Sequence, residues 1–145
     1  MNIKFKNLSG WGNIGTTKCR FEEPSDLENL KKFISEKKIV RGMGRSYGDC
    51  SIQKNLTISL KKFNKIIKFD KKIGLVTLEC GVTIDQLLNY IIPHGWFIPV
   101  TPGSKFVSLG GAVSCDVHGK NHHQVGSIYN FINQISVINN TGEIV

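Results

Sequence analysis

Ile39-Val40-Arg41-Gly42-Met43-Gly44-Arg45-Ser46-Tyr47-Gly48-Asp49 is the stretch on which the reading of this chain turns. Its two β-branched residues read as a short buried strand, which runs straight into three glycines, two arginines and a serine. Glycine accepts positive φ and a close backbone approach, so consecutive N–H groups can converge on an anion as a nest. No Gly-Lys-Ser/Thr follows, which argues against a P-loop. The glycines fall at 42, 44 and 48 with no clear helix start, which argues against a Rossmann fingerprint. Two readings fit the loop by itself: an anion cradle and an ordinary tight loop.

Downstream, Pro102-Gly103-Ser104 and Ser108-Leu109-Gly110-Gly111-Ala112 form a second glycine-rich stretch. A helix starting near Gly110 would offer free N–H groups and its positive dipole end to a phosphate. The other reading is a small-residue helix packed tightly on a sheet. A pyrophosphate held by both loops is the economical expectation. Close behind comes Cys115-Asp116-Val117-His118-Gly119-Lys120-Asn121-His122-His123, which holds three of the four histidines. Histidine and lysine together can orient, protonate or bind the oxygen atoms of a small ligand. His118 and His122 stand four apart, as metal ligands on a helix would. Gly119 weakens such a helix and no glutamate completes a zincin pattern, so no metal is expected. Satisfied loop histidines remain a reading for His118, His122 and His123. A solvent-facing Lys120 and a plain core aromatic at Tyr47 also remain open.

Around these loops the elements read as follows. Ser25 and Glu28 form a capping box for a helix reaching about Lys37 through Leu27, Leu30 and Ile34. Leu56, Ile58 and Leu60 alternate with Thr57 and Ser59, and Val76, Leu78 and Cys80 with Thr77 and Glu79, as strands do. Thr83 and Gln86 cap the clearest helix, with Val82 stapled on Leu87. Ile84, Leu87, Leu88, Ile91 and Ile92 form its apolar face, and Pro93 and Gly95 end it. Phe97–Val100 is a short extended run limited by its proline. Ile135 and Val137 mark a last strand, and Asn139-Asn140-Thr141-Gly142 a hairpin turn. Only three residues follow that turn, short of the roughly five of a returning strand, so the chain is expected to be a piece of a longer protein. The fold class is α+β, a sandwich rather than a regular βαβ alternation.

Composition bounds the rest. At 145 residues the chain is one ordinary domain, and 40% hydrophobic residues suit a globular protein. The net charge of +8 comes from lysine pairs scattered along the chain, which read as solvated surface. No aromatic–arginine platform accompanies them, so no nucleic acid is expected. The cysteines at 19, 50, 80 and 115 make no CxxC pair. Met1–Lys6 lacks a signal-peptide run, and no stretch of eighteen apolar residues occurs. The expectation is a cytoplasmic protein with free, mostly buried thiols.

Taken together, Arg41–Asp49, Gly81-Val82-Thr83-Ile84-Asp85-Gln86-Leu87, Pro99-Val100 with Pro102-Gly103, Gly110-Gly111-Ala112 and Cys115–His123 resemble FAD-linked oxidases. The superfamily is that of vanillyl-alcohol oxidase and p-cresol methylhydroxylase, and the likeness runs nearest to its decaprenylphosphoryl-β-D-ribose 2'-oxidase family. Gly10-Trp11-Gly12 is similar to that family's opening segment. The His-Gly-Lys-Asn-His-His string is the specific part of the likeness; isolated glycines are not.

The resemblance implies a PCMH-type FAD-binding domain of two small α/β subdomains, C-terminally truncated, with a substrate domain beyond residue 145. Arg41, Gly42, Met43, Gly44, Arg45, Ser46, Tyr47, Gly48 and Asp49 would wrap the FAD pyrophosphate. Gly103, Ser104, Ser108, Leu109, Gly110, Gly111 and Ala112 would close on the cofactor from the other side. Cys115, Val117 and His118 would lie along the flavin, and Gly126 would serve a close backbone approach. His118, Lys120 and Tyr47 would face the substrate as catalytic residues. Covalent members carry a flavin-linking histidine where this chain has Arg45, so the FAD is expected to be non-covalent. The implied reaction takes a sugar secondary alcohol, on a polyprenyl-phosphate pentose, to a ketone by hydride transfer to flavin N5. A short-chain reductase partner, peripheral membrane association and cell-wall or polysaccharide precursor synthesis would go with it. Another sugar or aldonolactone oxidase of the same fold, or a non-catalytic fragment binding an anionic ligand, stays open.

Overall fold

The computed structural model describes residues 3–145. They fall into two compact units, one of residues up to Lys62 together with Gln134–Val145, the other Phe63–Asn133.

The first unit is built on a four-stranded sheet in the order β1-β2-β4-β3. β1 (Phe5–Leu8) runs antiparallel to β2 (Thr17–Glu22), with Phe5 opposite Arg20. β4 (Thr57–Ser59) lies between β2 and β3 (Ile39–Arg41) and is parallel to both, pairing Thr57 with Phe21 on one side and with Ile39 on the other. A strand flanked by parallel neighbours is covered on both faces, and Thr57, Ile58 and Ser59 are all buried. Their hydroxyls are satisfied: Thr57 Oγ1 donates to the Gln53 carbonyl, and Ser59 Oγ to Glu23. Cys19, Phe21, Leu56 and Ile58 fill the interior. The alternation of Thr17, Cys19 and Phe21 with Lys18, Arg20 and Glu22 is the period-2 pattern that forms β2.

α1 (Leu27–Lys31) is shorter than expected and capped one residue later. Asp26, not Ser25, is the N-cap: its Oδ1 accepts from Asn29 N at 2.8 Å while Ser25 Oγ donates to its Oδ2. A carboxylate is the stronger acceptor of the two. Beyond Lys31 the chain continues in turns closed by i→i−3 bonds, Phe33 N to Leu30 O and Ile34 N to Lys31 O. The strand expected at Ile135 and Val137 joins no sheet. Val137 and Val145 exchange both backbone bonds, at 2.8 and 2.9 Å, and close a small hairpin over the expected turn at Asn139–Gly142.

The second unit pairs β5 (Ile66–Asp70) antiparallel with β6 (Leu75–Leu78). α2 (Ile84–Ile91) starts at Thr83 with both capping-box bonds present, and its buried residues are Ile84, Leu87 and Ile91. It ends through a 3-10 turn holding Pro93, with Gly95 left-handed at φ 79°. Val82 and Leu87 share one apolar cluster with Ile84, Ile91, Val100, Leu109, Ala112 and Ile128, as the staple reading requires. Ile66, Phe69, Val76 and Leu78 pack against that cluster. Phe97–Val100 joins no strand, although Val100 is buried. α3 (Leu109–Ser114) carries Gly110 and Gly111, α4 (His122–Val125) carries His122 and His123, and His118 lies between them. No helix among the described residues is long and apolar enough to cross a membrane.

Candidate functional site

In the first unit, the sheet delivers Arg41 from the end of β3 into the glycine loop. The Arg41 guanidinium donates to the Ser9 carbonyl at 2.8 Å and to Ser51 Oγ at 3.0 Å. Ser46 Oγ also donates to Ser51 Oγ, at 3.1 Å. Gly44 sits directly on this guanidinium at φ 67°, so a Cβ there would strike it. Burial holds the Arg41 pKa below its ordinary value, yet a guanidinium stays protonated in proteins. Trp11 N donates to the Ser46 carbonyl at 3.1 Å, and the Arg45 guanidinium lies 4.7 Å from the centre of the Trp11 ring. Among the described residues, the N–H groups of Gly42, Met43, Gly44 and Ser46 donate to no protein acceptor. Tyr47 is 83% exposed, which overturns the core-aromatic reading. Gly48 and Asp49 are exposed as well.

In the second unit, Thr101, Pro102, Gly103, His118, Gly119, Lys120 and His122 line an open cleft of about 640 Å³. Its floor is a close backbone crossing: a Cβ on Gly119 would lie 2.9 Å from the Thr101 carbonyl oxygen. Asn121 Nδ2 ties the same segment to the Pro99 carbonyl at 3.1 Å, and His118 bridges Ser127. His118 and His122 have ring centroids 5.0 Å apart, and His122 Nδ1 lies 3.2 Å from the Gly119 carbonyl oxygen. His118 and Lys120 are exposed on the cleft wall. No group of three His, Cys, Asp or Glu among the described residues is placed to hold a metal.

The helix after this cleft differs from its expected role. α3 begins at Leu109, and its first N–H groups are already used: Leu109 N donates to Val82 O and Gly110 N to Cys80 O, each at 2.7 Å. A Cβ on Gly110 would lie 2.7 Å from Cys80 Cβ. The N–H groups of Leu109 and Gly110 are therefore taken up within the protein, as in a tightly packed small-residue helix, and are not free for a phosphate. Ser104 Oγ caps the turn below it by accepting from Phe106 N, while Gly103 faces open space. Gly126 makes its close approach to the Asn130 side chain. Val117 is half-buried, hydrogen-bonded to Ala112 O and Ile128 N.

The thiols are free, but Cys50 and Cys115 are exposed, Cys80 is half-buried and only Cys19 is buried, which corrects the expectation of mostly buried cysteines. Sequence reasoning also missed Ser9, Ser51 and Thr101 as parts of these sites. Gly10-Trp11-Gly12, next to Ser9, was the one local signal, and Ser51 and Thr101 had none.

Residues 19–145 match the model of the FAD binding domain family. The chain belongs to that family. This FAD-binding domain is 37% identical to decaprenylphosphoryl-beta-D-ribose oxidase of Mycolicibacterium smegmatis over 96% of the chain and 32% of that relative. It is 34% identical to D-lactate dehydrogenase of Anaerostipes hadrus over 68% of the chain and 21% of the relative. The fold matches alkyldihydroxyacetonephosphate synthase with a TM-score of 0.72 at 18% identity, over 88% of the chain and 26% of that structure. The chain thus spans about a third or less of the relatives it matches. FAD is the cofactor of this domain, and its relatives by name are oxidases and dehydrogenases. The residues fit an anionic cofactor: the glycine loop of the first unit offers the N–H groups of Gly42, Met43, Gly44 and Ser46, which have no protein acceptor among the described residues, on a glycine-bent backbone.

Proposed function

We propose that this domain holds FAD for the oxidation of a sugar secondary alcohol to a ketone, with a polyprenyl-phosphate pentose as the substrate. The observation that carries the reading is the cleft that His118, Lys120 and Gly103 line together. FAD, when bound, supplies the hydride acceptor. The Lys120 ammonium brings three donors to a hydroxyl or phosphate oxygen, and His118 can accept or relay a proton from the alcohol. Gly42 to Gly48 hold the pyrophosphate through backbone N–H groups, with Tyr47 exposed beside them. Arg45 replaces the histidine of covalent relatives, and a protonated guanidinium is no nucleophile, so the cofactor is held non-covalently. The base and the rest of the substrate pocket belong to a substrate domain outside these residues. A ketone product suits a separate short-chain reductase, and a lipid-phosphate substrate suits work at a cytoplasmic membrane surface in cell-wall precursor synthesis.

Full-length protein carrying Lys120→Ala tests this. It should keep its flavin spectrum, release intact FAD on acid treatment, and lose oxidation of the phosphosugar. Loss of FAD with normal turnover in the residual loaded enzyme would move Lys120 to the cofactor and sink the assignment.

A further inference from the structure

We infer that Arg41 is a positioning residue, which pins the glycine loop in its cofactor-receiving shape from behind rather than meeting the phosphates itself. This rests on the reading that residues 42–48 hold the FAD pyrophosphate. The guanidinium joins two pieces of chain that lie 32 and 10 residues away. It bonds the Ser9 carbonyl at 2.8 Å, on the β1–β2 connection, and Ser51 Oγ at 3.0 Å, where the loop exits. The loop's apex, Gly44, rests on the guanidinium with no room for a Cβ. Ser46 Oγ joins through Ser51 at 3.1 Å. The β1–β2 connection adds a second line of support. Trp11 N donates to Ser46 O at 3.1 Å, and Gly10 abuts the Gly48 backbone so closely that a Cβ on Gly10 would strike Gly48 O.

The consequence is directional. One carbonyl of the loop, Ser46 O, is taken up by the β1–β2 connection, and the guanidinium is occupied by Ser9 and Ser51. The N–H groups of Gly42, Met43, Gly44 and Ser46 are left without a protein acceptor among the described residues. A cradle whose donors are aimed before the ligand arrives loses less entropy on binding. The planar fork of arginine reaches Ser9 and Ser51 at once, which a single ammonium does not reproduce.

The test uses the full chain as apoprotein, with FAD binding read by quenching of flavin fluorescence and folding read by thermal melting. Arg41→Lys and Ser51→Ala are each expected to weaken FAD tenfold or more. Their apo melting temperatures should stay near that of the unaltered chain, and the slope of log Kd against log salt should not change. Arg41→Gln should resemble Arg41→Lys, since the fork matters and the charge does not. ADP, which carries the pyrophosphate without the flavin, should lose affinity by the same factor. The inference is overturned if Arg41→Lys binds FAD normally, or if Arg41→Gln alone weakens binding with a shallower salt slope, the mark of a direct phosphate contact. Should the unaltered chain bind neither FAD nor ADP, the cofactor reading of the loop itself fails. Should it bind both with every variant unchanged, only the brace fails.

Discussion

One absent methyl group sets the floor of the cleft. Gly119 is buried, and a Cβ there would lie 2.9 Å from Thr101 O and 3.0 Å from Asn121 Oδ1. Neither neighbour is a yielding side-chain tip, because Thr101 O is backbone and Asn121 is tied to Pro99 O. Gly119→Ala should therefore cost about 1–3 kcal/mol by overpacking. A urea midpoint within error of the unaltered chain would refute the crossing. The cysteines give a second test at this scale. Cys19 is fully buried, and burial pushes the Cys80 thiol pKa above its ordinary value. Reactivity follows the exposed thiolate. Iodoacetamide followed by mass spectrometry should label Cys50 and Cys115 first, Cys80 slowly and Cys19 only on unfolding. The raised Cys80 pKa also fixes a sign. The unfolded thiol ionises first, so the stability tied to the protonated form is full below about pH 8.5 and is lost as pH rises toward the folded value. A Cys80→Ala chain should show a shallower alkaline decline in its urea midpoint.

Helix α2 shows what an element can reveal in advance. Its cap, apolar stripe and stop residues lie within thirteen consecutive residues, Thr83 to Gly95, so local chemistry decides it. Removing the cap oxygen with Thr83→Ala should cost about 1 kcal/mol, read as a drop of roughly 3–5 °C in the melting midpoint. No change would mean that packing on Val82 and Leu87 holds the first turn unaided. The elements that escaped prior reading had their signal diluted. β1 is almost wholly exposed and shows no apolar face. β5 carries an irregularity between Ile66 and Lys68 that breaks its alternation. β2 was missed for another reason: Thr17, Cys19 and Phe21 alternate cleanly with Lys18, Arg20 and Glu22, and the pattern was overlooked. α1 was overextended because Ile34 continued an apolar period that the backbone does not follow. α3 was placed correctly near Gly110, but its donors are spent on carbonyls of Val82 and Cys80, and no spacing rule reports a tertiary acceptor.

At the scale of the molecule, linear motifs and tertiary partnerships part company. The cradle at Arg41–Asp49 and the His118–Lys120 pair are contiguous strings, so their residue types could be read directly from the sequence. The partners of Arg41 lie 32 and 10 residues away, at Ser9 and Ser51, and only folding brings them to one guanidinium. Membership of the FAD-binding family then makes a prediction about the chain as a whole. A ligand that binds only the folded form stabilises it by RT ln(1 + [L]/Kd), about 2.7 kcal/mol at a hundredfold excess over Kd. For a chain of 145 residues that corresponds to a rise of roughly 6–12 °C in the melting midpoint. Titrating FAD from micromolar to millimolar during thermal melts should raise the midpoint logarithmically and without saturation. ADP should do the same from a higher concentration, because it brings the pyrophosphate to the cradle without the flavin. A midpoint indifferent to both ligands would show that the N–H groups of Gly42, Met43, Gly44 and Ser46 receive no phosphate, and the assignment of the loop would fall with it.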